Sequence, residues 1–136
     1  MDPDTNPDAS DTERSDQERL SHKFQRELNA GLVGLVLLAV LDRADEDLYG
    51  YQIAKRLQDL ADGSPPVKQG ALYPVLRQLS SNGLLASRIV PSYAGPPRRY
   101  YRITDAGRAT LAEWRDIWRN TRDFVDGFMN SNGAAS

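Results

Sequence analysis

The eleven-residue apolar run from Gly31 to Leu41 is the feature that most constrains how this chain can fold. A segment that crosses a bilayer needs about 20 predominantly apolar residues, so this run is too short and predicts a buried helix. The surrounding segment has the three- and four-residue spacing of a helix face, at Leu28, Leu32, Leu35 and Ala39. The sequence therefore predicts a first helix at the centre of the core, in a chain that does not interact with a membrane.

The length and the residue types present exclude several classes of function. With 136 residues the chain has room for one domain, since a domain takes roughly 100–200 residues. It has no cysteine, which excludes disulfides, thiolate metal sites and cysteine nucleophiles. Its only histidine, His22, cannot form a multi-histidine metal site by itself. We therefore expect no metal site. Because the sequence shows no convergent catalytic groups and no Gly-rich phosphate loop, we also expect no cofactor and no enzymatic activity. The acidic, polar N-terminus lacks the pattern of a signal peptide, which predicts a cytoplasmic protein.

Turn-forming and polar residues divide the chain into segments. Residues 1–20 are acidic and poor in apolar residues and predict a disordered tail, and the small polar residues 130–136 predict a frayed end. Residues 21–104 show three helical segments followed by two strands. Residues 105–129 predict one further helix, for which Thr104 is a suitable N-cap. The predicted fold is mainly α with a small β-hairpin: a winged helix-turn-helix domain with a C-terminal dimerisation helix.

The charged residues are unevenly distributed. The formal net charge is −2, yet the segment from residue 63 to residue 104 contains no acidic residue and six basic ones. Chance and ordinary solvation of the surface are one interpretation. The other is a surface that meets a polyanion such as nucleic acid. Charge alone does not separate these two interpretations.

Four blocks of sequence carry a resemblance to a known family. In chain order they are LYGYQI at 48–53, GALYPVLRQL at 70–79, NGLL at 82–85 and GPPRRYYRITDAGR at 95–108. Together they resemble the PadR family of transcriptional regulators, over about residues 26–110. The resemblance implies a homodimeric winged-helix repressor that binds a double-stranded DNA operator. With one helix after the wing, the chain is similar to the short PadR subfamily.

The third helix supplies one part of the predicted DNA contacts. Opposite its leucines lies a face of small residues with Arg77 and Gln78, whose side chains can read guanine and adenine through paired hydrogen bonds. A solvated helix face is the alternative. Tyr73, at the edge of the leucine stripe, is either a half-buried packing residue or a hydroxyl that donates to phosphate.

The wing supplies the other part. Its predicted strands are Leu85–Val90 and Arg98–Ile103, with a turn at Pro91–Pro97. Arg98 and Arg99 follow this rigid turn and suit phosphate or minor-groove contacts, with a solvated hairpin as the alternative. The complete predicted DNA-binding set is Lys68, Gln69, Gly70, Ala71, Tyr73, Arg77, Gln78, Arg98 and Arg99.

The last helix carries apolar residues at heptad spacing, which indicates a partner helix, and a symmetric homodimer is the simplest one. Packing on its own domain is the alternative. The predicted dimerisation residues are Leu111, Trp114, Trp118, Val125 and Phe128. Trp118 also has a second interpretation. Its position after Thr104 is similar to that of the aromatic residue that multidrug-binding PadR members stack on planar ligands, which implies a planar aromatic effector.

Two classes of function follow from the sequence. The first is a sequence-specific DNA-binding repressor that responds to a ligand or to stress. The second is a winged-helix module for protein–protein contact that never binds DNA. The acid-free segment and the Arg98-Arg99 pair favour the first.

Overall fold

The computed structural model describes residues 7–60 and 69–130, with side chains described over 13–60 and 70–130. The elements of these residues, in chain order, are α1 (Pro7–Arg43), β1 (Leu48–Tyr49), α2 (Gly50–Leu60), α3 (Gln69–Ser81), β2 (Leu85–Ser92), β3 (Gly95–Ile103) and α4 (Asp105–Met129). The predicted mainly α winged-helix fold is confirmed. Contacts within the chain divide it into two units, residues 1–32 and residues 33–136.

The first unit contains the N-terminal part of α1. This helix begins at Pro7, so residues 7–20, predicted as a disordered tail, are helical. Once a helix has formed, each further residue that is ordered adds one backbone hydrogen bond, which favours extension of the helix. Within this segment, Arg19 lies 3.8 Å from Asp16, one turn away. Residues 1–6 lie outside the described part of the chain.

The second unit holds the hydrophobic core. The apolar run of α1 lies in it as predicted, but the buried face is not the predicted one, since Leu28 is 42% exposed and Leu35 and Ala39 are only partly buried. The run is apolar on most sides, so its spacing could not identify the face that α2 and α3 cover. The buried residues are Val33, Leu37, Leu38, Val40, Leu41, Leu48, Ile53, Leu57, Leu72, Leu76, Leu79, Leu85, Tyr101, Ile103 and Leu111.

Helix α1 is also long and apolar enough, over Glu13–Arg43, to cross a membrane by length and composition alone. The core helix of a globular domain passes the same test. Leu37, Leu38 and Leu41 are buried inside the second unit, which is the pattern of a core helix.

A three-stranded antiparallel sheet joins the wing to the start of α2. Its strand order is β1-β3-β2, and β1 pairs Leu48 with Tyr101 and Tyr49 with Tyr100. Strand β1 has only two residues, too few to show an alternating pattern in the sequence. Its pairing was therefore not predicted, and it fixes the wing against α2.

The wing itself is longer than the sequence predicted. Strand β2 continues to Ser92 and β3 begins at Gly95, so the turn consists of Tyr93 and Ala94 alone. Prolines usually end strands because they cannot donate to the ladder. Here Pro91 lies at an irregularity in the β2–β3 register, where a missing N–H is tolerated.

The start of α4 is locked to the turn that follows α3. Thr104 caps the helix as predicted: its hydroxyl accepts a hydrogen bond from the Gly107 N–H (3.0 Å) and donates one to the Gly83 carbonyl (2.7 Å). A Cβ on Gly107 would collide with the Leu84 carbonyl oxygen, so a glycine is needed at this close approach. Helix α4 spans Asp105–Met129, as predicted, and residues 131–136 lie outside the described part of the chain.

Candidate nucleic-acid interface

Helix α3 docks through one leucine face and presents the other. Leu72, Leu76 and Leu79 are buried in the core. Pro74 lies in the second turn of the helix, where its missing N–H removes only an early backbone hydrogen bond. The outward residues are Gly70, Ala71, Pro74, Arg77 and Gln78. Lys68 and the side chain of Gln69 lie outside the described part of the chain.

Tyr73 projects from α3 onto the start of α2. A Cβ built on Gly50 would lie 2.5 Å from Tyr73 Cε1 and 2.8 Å from its Oη, closer than real Cβ contacts allow. Gly50 is buried, whereas Tyr73 remains 41% exposed. The absence of a side chain at the first residue of α2 is therefore what lets the Tyr73 ring lie against it.

A cleft of about 300 Å³ separates α3 from the wing. None of the residues that line it is acidic, and three are arginines. The lining residues are Tyr49, Gly50, Tyr73, Arg77, Pro97, Arg98, Arg99 and Tyr101. The cleft therefore combines hydroxyl groups with a concentration of positive charge, the donor set that suits a phosphate group.

The three arginines of the cleft have no carboxylate within ion-pair distance in the described part of the chain. Arg99 donates a hydrogen bond to the Ser87 hydroxyl at 3.1 Å, and the Arg98 guanidinium lies 4.6 Å from the centre of the Tyr49 ring. Both contacts leave the positive charge uncompensated, so it is available to an incoming anion.

Tyr101, which also lines the cleft, is close enough to Arg99 and Arg77 to be affected by their charges. Burial raises the pKa of the Tyr101 phenol, and the positive charges of Arg99 and Arg77 lower it part of the way back. The phenol therefore keeps its proton at neutral pH and adds no negative charge to the cleft.

The structure brings together some of the predicted site residues and separates others. Tyr73, Arg77, Arg98 and Arg99 share the cleft, whereas Gln78 is exposed on α3 and does not line it. From the sequence, both Arg77 and Gln78 were predicted to read bases, because their spacing alone does not show which of the two side chains turns towards the wing.

Tyr49 and Gly50 line the cleft and were missed as site residues. They were within the LYGYQI block that carries part of the family resemblance, but nothing local indicates that β1 approaches the wing.

Helix α4 divides into a packed part and an exposed part. Leu111 is buried in the core of its own chain, and Trp114 is half-buried with a ring atom 3.4 Å from the Cβ position of Gly34. This differs from the prediction that both residues face a partner. Their early position in α4 keeps them over their own core, so the alternative of packing on the same domain holds for these two.

The remainder of α4 presents large apolar side chains to solvent. Trp118 is 37% exposed, and Ile117, Phe124 and Met129 are exposed although the heptad pattern did not select them. The exposed apolar side chains of this segment are Ile117, Trp118, Phe124, Val125, Phe128 and Met129. Contiguous exposed apolar surface of this kind is typical of an interaction site.

No group of three or more histidine, aspartate or glutamate side chains is placed to hold a metal ion within the described residues. Nothing in this part of the chain therefore points to metal chemistry.

Three helices followed by a β-hairpin, with the third helix beside the hairpin, define the class of winged-helix proteins. The model of the Transcriptional regulator PadR-like family matches residues 37–113. The chain belongs to this family, so the resemblance read from the four sequence blocks is confirmed.

Known proteins share both sequence and fold with the chain. An uncharacterised protein of Lysinibacillus sphaericus is 30% identical over 72% of this chain and 87% of its own length. The transcriptional regulator Rv3488 of Mycobacterium tuberculosis is 42% identical over 53% of this chain and 64% of its own length. A PadR family transcriptional regulator of Eggerthella lenta has a crystal structure that superposes with a TM-score of 0.68 at 33% identity, covering 85% of this chain and 96% of the other.

Proposed function

We propose that this PadR family regulator binds operator DNA as a homodimeric repressor, with α3 in the major groove and the wing on the phosphate backbone. The observation that carries the proposal is the acid-free cleft where α3 and the wing meet. Its arginines lie on two different elements and have no internal counterions among the described residues. A surface of this kind attracts a polyanion and releases its counterions on binding.

The cleft and the exposed face of α3 have different roles in this proposal. The cleft takes a backbone phosphate, which accepts hydrogen bonds from Arg77, Arg99 and the Tyr73 hydroxyl. Gln78 lies outside the cleft on the exposed face, where it reads a base edge. Gly70 has no side chain and Ala71 has only a methyl group, which allows the start of α3 to approach the bases closely.

The test replaces Arg98 and Arg99 with alanine and measures affinity for random and operator duplexes over a range of salt concentrations. Both affinities should fall, and the salt slope should shrink by about one unit for each phosphate that the variant no longer neutralises. Arg88→Ala is the matched control, since this wing arginine is already paired with Asp47 at 2.9 Å. Unchanged affinity of the double variant for random DNA at low salt would exclude the wing as a phosphate contact.

We also propose that the exposed part of α4 forms the homodimer. Trp118, Val125 and Phe128 of the predicted seam lie there, together with Phe124. Burying such side chains stabilises an interface by roughly 1.5–3 kcal/mol per residue before the costs of association. Sedimentation of the intact chain tests this, because a monomer at micromolar concentration contradicts the proposal.

The effector proposal rests on Trp118. The Trp118 side chain is more exposed than that of Trp114, so a planar aromatic molecule can stack on the Trp118 ring between two subunits. Such a ligand would favour one spacing of the two α3 helices over another and so change DNA affinity. As a DNA-binding regulator, the protein would act in the cytoplasm.

A further inference from the structure

The outer surface of the sheet holds two arginine–tyrosine stacks side by side. The guanidinium of Arg98 lies 4.6 Å from the centre of the Tyr49 ring, and that of Arg88 lies 5.2 Å from the centre of the Tyr100 ring. Both distances are within the reach of a cation–π attraction. The two rings also touch each other edge to face, with centroids 5.3 Å apart.

The two arginines differ in what else they bind. Arg88 donates a hydrogen bond to the carboxylate of Asp47 at 2.9 Å, so an internal counterion already satisfies its charge. Arg98 has no such carboxylate within the described residues, and it lines the cleft between α3 and the wing. Only the Tyr49–Arg98 stack therefore presents a free positive charge.

Tyr49 is itself fixed by backbone contacts. It pairs with Tyr100 in the sheet, and its N–H donates to Gln52 Oε1 at 3.1 Å, the reach-back bond of a helix cap. The Tyr51 ring stacks beside the Tyr49 ring, with the two ring centroids 6.4 Å apart. The ring under Arg98 thus belongs to the junction of β1 and α2, and the Tyr49 backbone is held by β3 on one side and by Gln52 on the other.

We propose that Tyr49 is a positioning residue for DNA binding: its ring holds the Arg98 guanidinium in place before DNA arrives. A long arginine side chain otherwise loses rotamer freedom when it contacts a phosphate. The contact with the ring removes part of that loss in advance, because it already restricts the Arg98 side chain. This inference rests on the proposed function, because it needs Arg98 to contact DNA.

The experiment measures the affinity of the full chain for a random-sequence duplex at low salt, with Tyr49→Leu compared with Tyr49→Phe. An exposed cation–π contact corresponds to about a two- to fivefold change in affinity. Tyr49→Leu should weaken binding by that factor at an unchanged salt slope, because the charge of Arg98 remains. Tyr49→Phe should retain parental affinity, because the phenyl face also attracts a cation. Tyr49→Phe is therefore the matched control, since it removes only the hydroxyl and keeps the ring under Arg98.

The decisive comparison is the same substitution in an Arg98→Ala background. If Tyr49 acts through Arg98, Tyr49→Leu changes nothing further there. A second loss of similar size means that Tyr49 supports the fold instead, and overturns the positioning role while leaving the proposed function intact. If Arg98→Ala alone binds DNA as the parent does, the wing contact and the positioning role both fail. Circular dichroism checks folding, and Tyr49→Ile, suited to a strand, replaces the leucine variant if that one is unstable.

Discussion

Replacing Gly50 with alanine should weaken DNA binding far more than it weakens the fold. The added Cβ would lie 2.5 Å from Tyr73 Cε1, about 1 Å less than an ordinary carbon–carbon contact of roughly 3.5–4.0 Å. Because Tyr73 is 41% exposed, its ring can swing into solvent and relieve the overlap. Alanine also favours a helix over glycine by up to about 1 kcal/mol, so the free energy of unfolding should change by less than about 1 kcal/mol.

The displaced ring would withdraw the Tyr73 hydroxyl from the phosphate in the cleft. A hydrogen bond to a charged group contributes about 1.5–3 kcal/mol, which corresponds to roughly a 10- to 150-fold loss of affinity. Fluorescence anisotropy with a labelled random duplex at low salt measures this loss. Tyr73→Phe should lose the same factor, and the double variant should be no weaker than either single one.

Gly31→Ala provides the control, because a Cβ at Gly31 meets nothing within 4 Å. It should leave DNA affinity unchanged. Two results would contradict this prediction. Gly50→Ala binding as tightly as the parent, while Tyr73→Phe binds weakly, would show that the ring does not depend on the space at Gly50. Tyr73→Phe binding as the parent does would show that the hydroxyl makes no phosphate contact.

The remaining predictions concern base reading, packing and assembly. Arg77→Ala should weaken binding to operator and scrambled duplexes equally, because Arg77 contacts phosphate. Gln78→Ala should weaken binding to the operator more than to the scrambled duplex, by about 1–3 kcal/mol, because Gln78 reads a base. The reverse pattern would assign base reading to Arg77 and the phosphate contact to Gln78. Gly107→Ala should destabilise the fold by about 3 kcal/mol in thermal unfolding, since the backbone carbonyl it meets cannot turn away; an unchanged transition would contradict that contact. Phe124→Asp should shift sedimentation from dimer to monomer with the winged-helix unit still folded, and a persistent dimer would remove this part of α4 from the interface. Trp118→Ala should abolish quenching of tryptophan fluorescence by a planar aromatic dye while the chain still sediments as a dimer, because Phe124, Val125 and Phe128 remain in the proposed interface; loss of the dimer would show that Trp118 acts in assembly and not in ligand stacking.

Local patterns in the sequence were enough to place most of the elements. The leucine spacing of α3 identifies its buried face, and Thr104 marks the start of α4, because a helix period and a cap are determined by residues within a few positions of each other. The order of these elements, three helices followed by a hairpin and a further helix, then predicts the winged-helix fold. The buried face of α1 could not be read in this way, since a segment that is apolar on most sides has no preferred face until other helices pack on it.

Which residues meet depends on how the elements pack in three dimensions. The pairing of β1 with β3 brings the Tyr49 ring beneath Arg98. The docking of α3 brings Arg77 into the same cleft as Arg99, whereas its neighbour Gln78 does not line the cleft. Likewise, a heptad spacing shows that a helix has a covered face but does not show what covers it. The first turns of α4 lie over the core of their own chain, so Leu111 is buried there, while the later turns extend beyond that core and leave Phe124 exposed. The physical reason is the same in each case: periodicity is a property of one segment, whereas burial and charge pairing depend on distances between segments far apart in the chain.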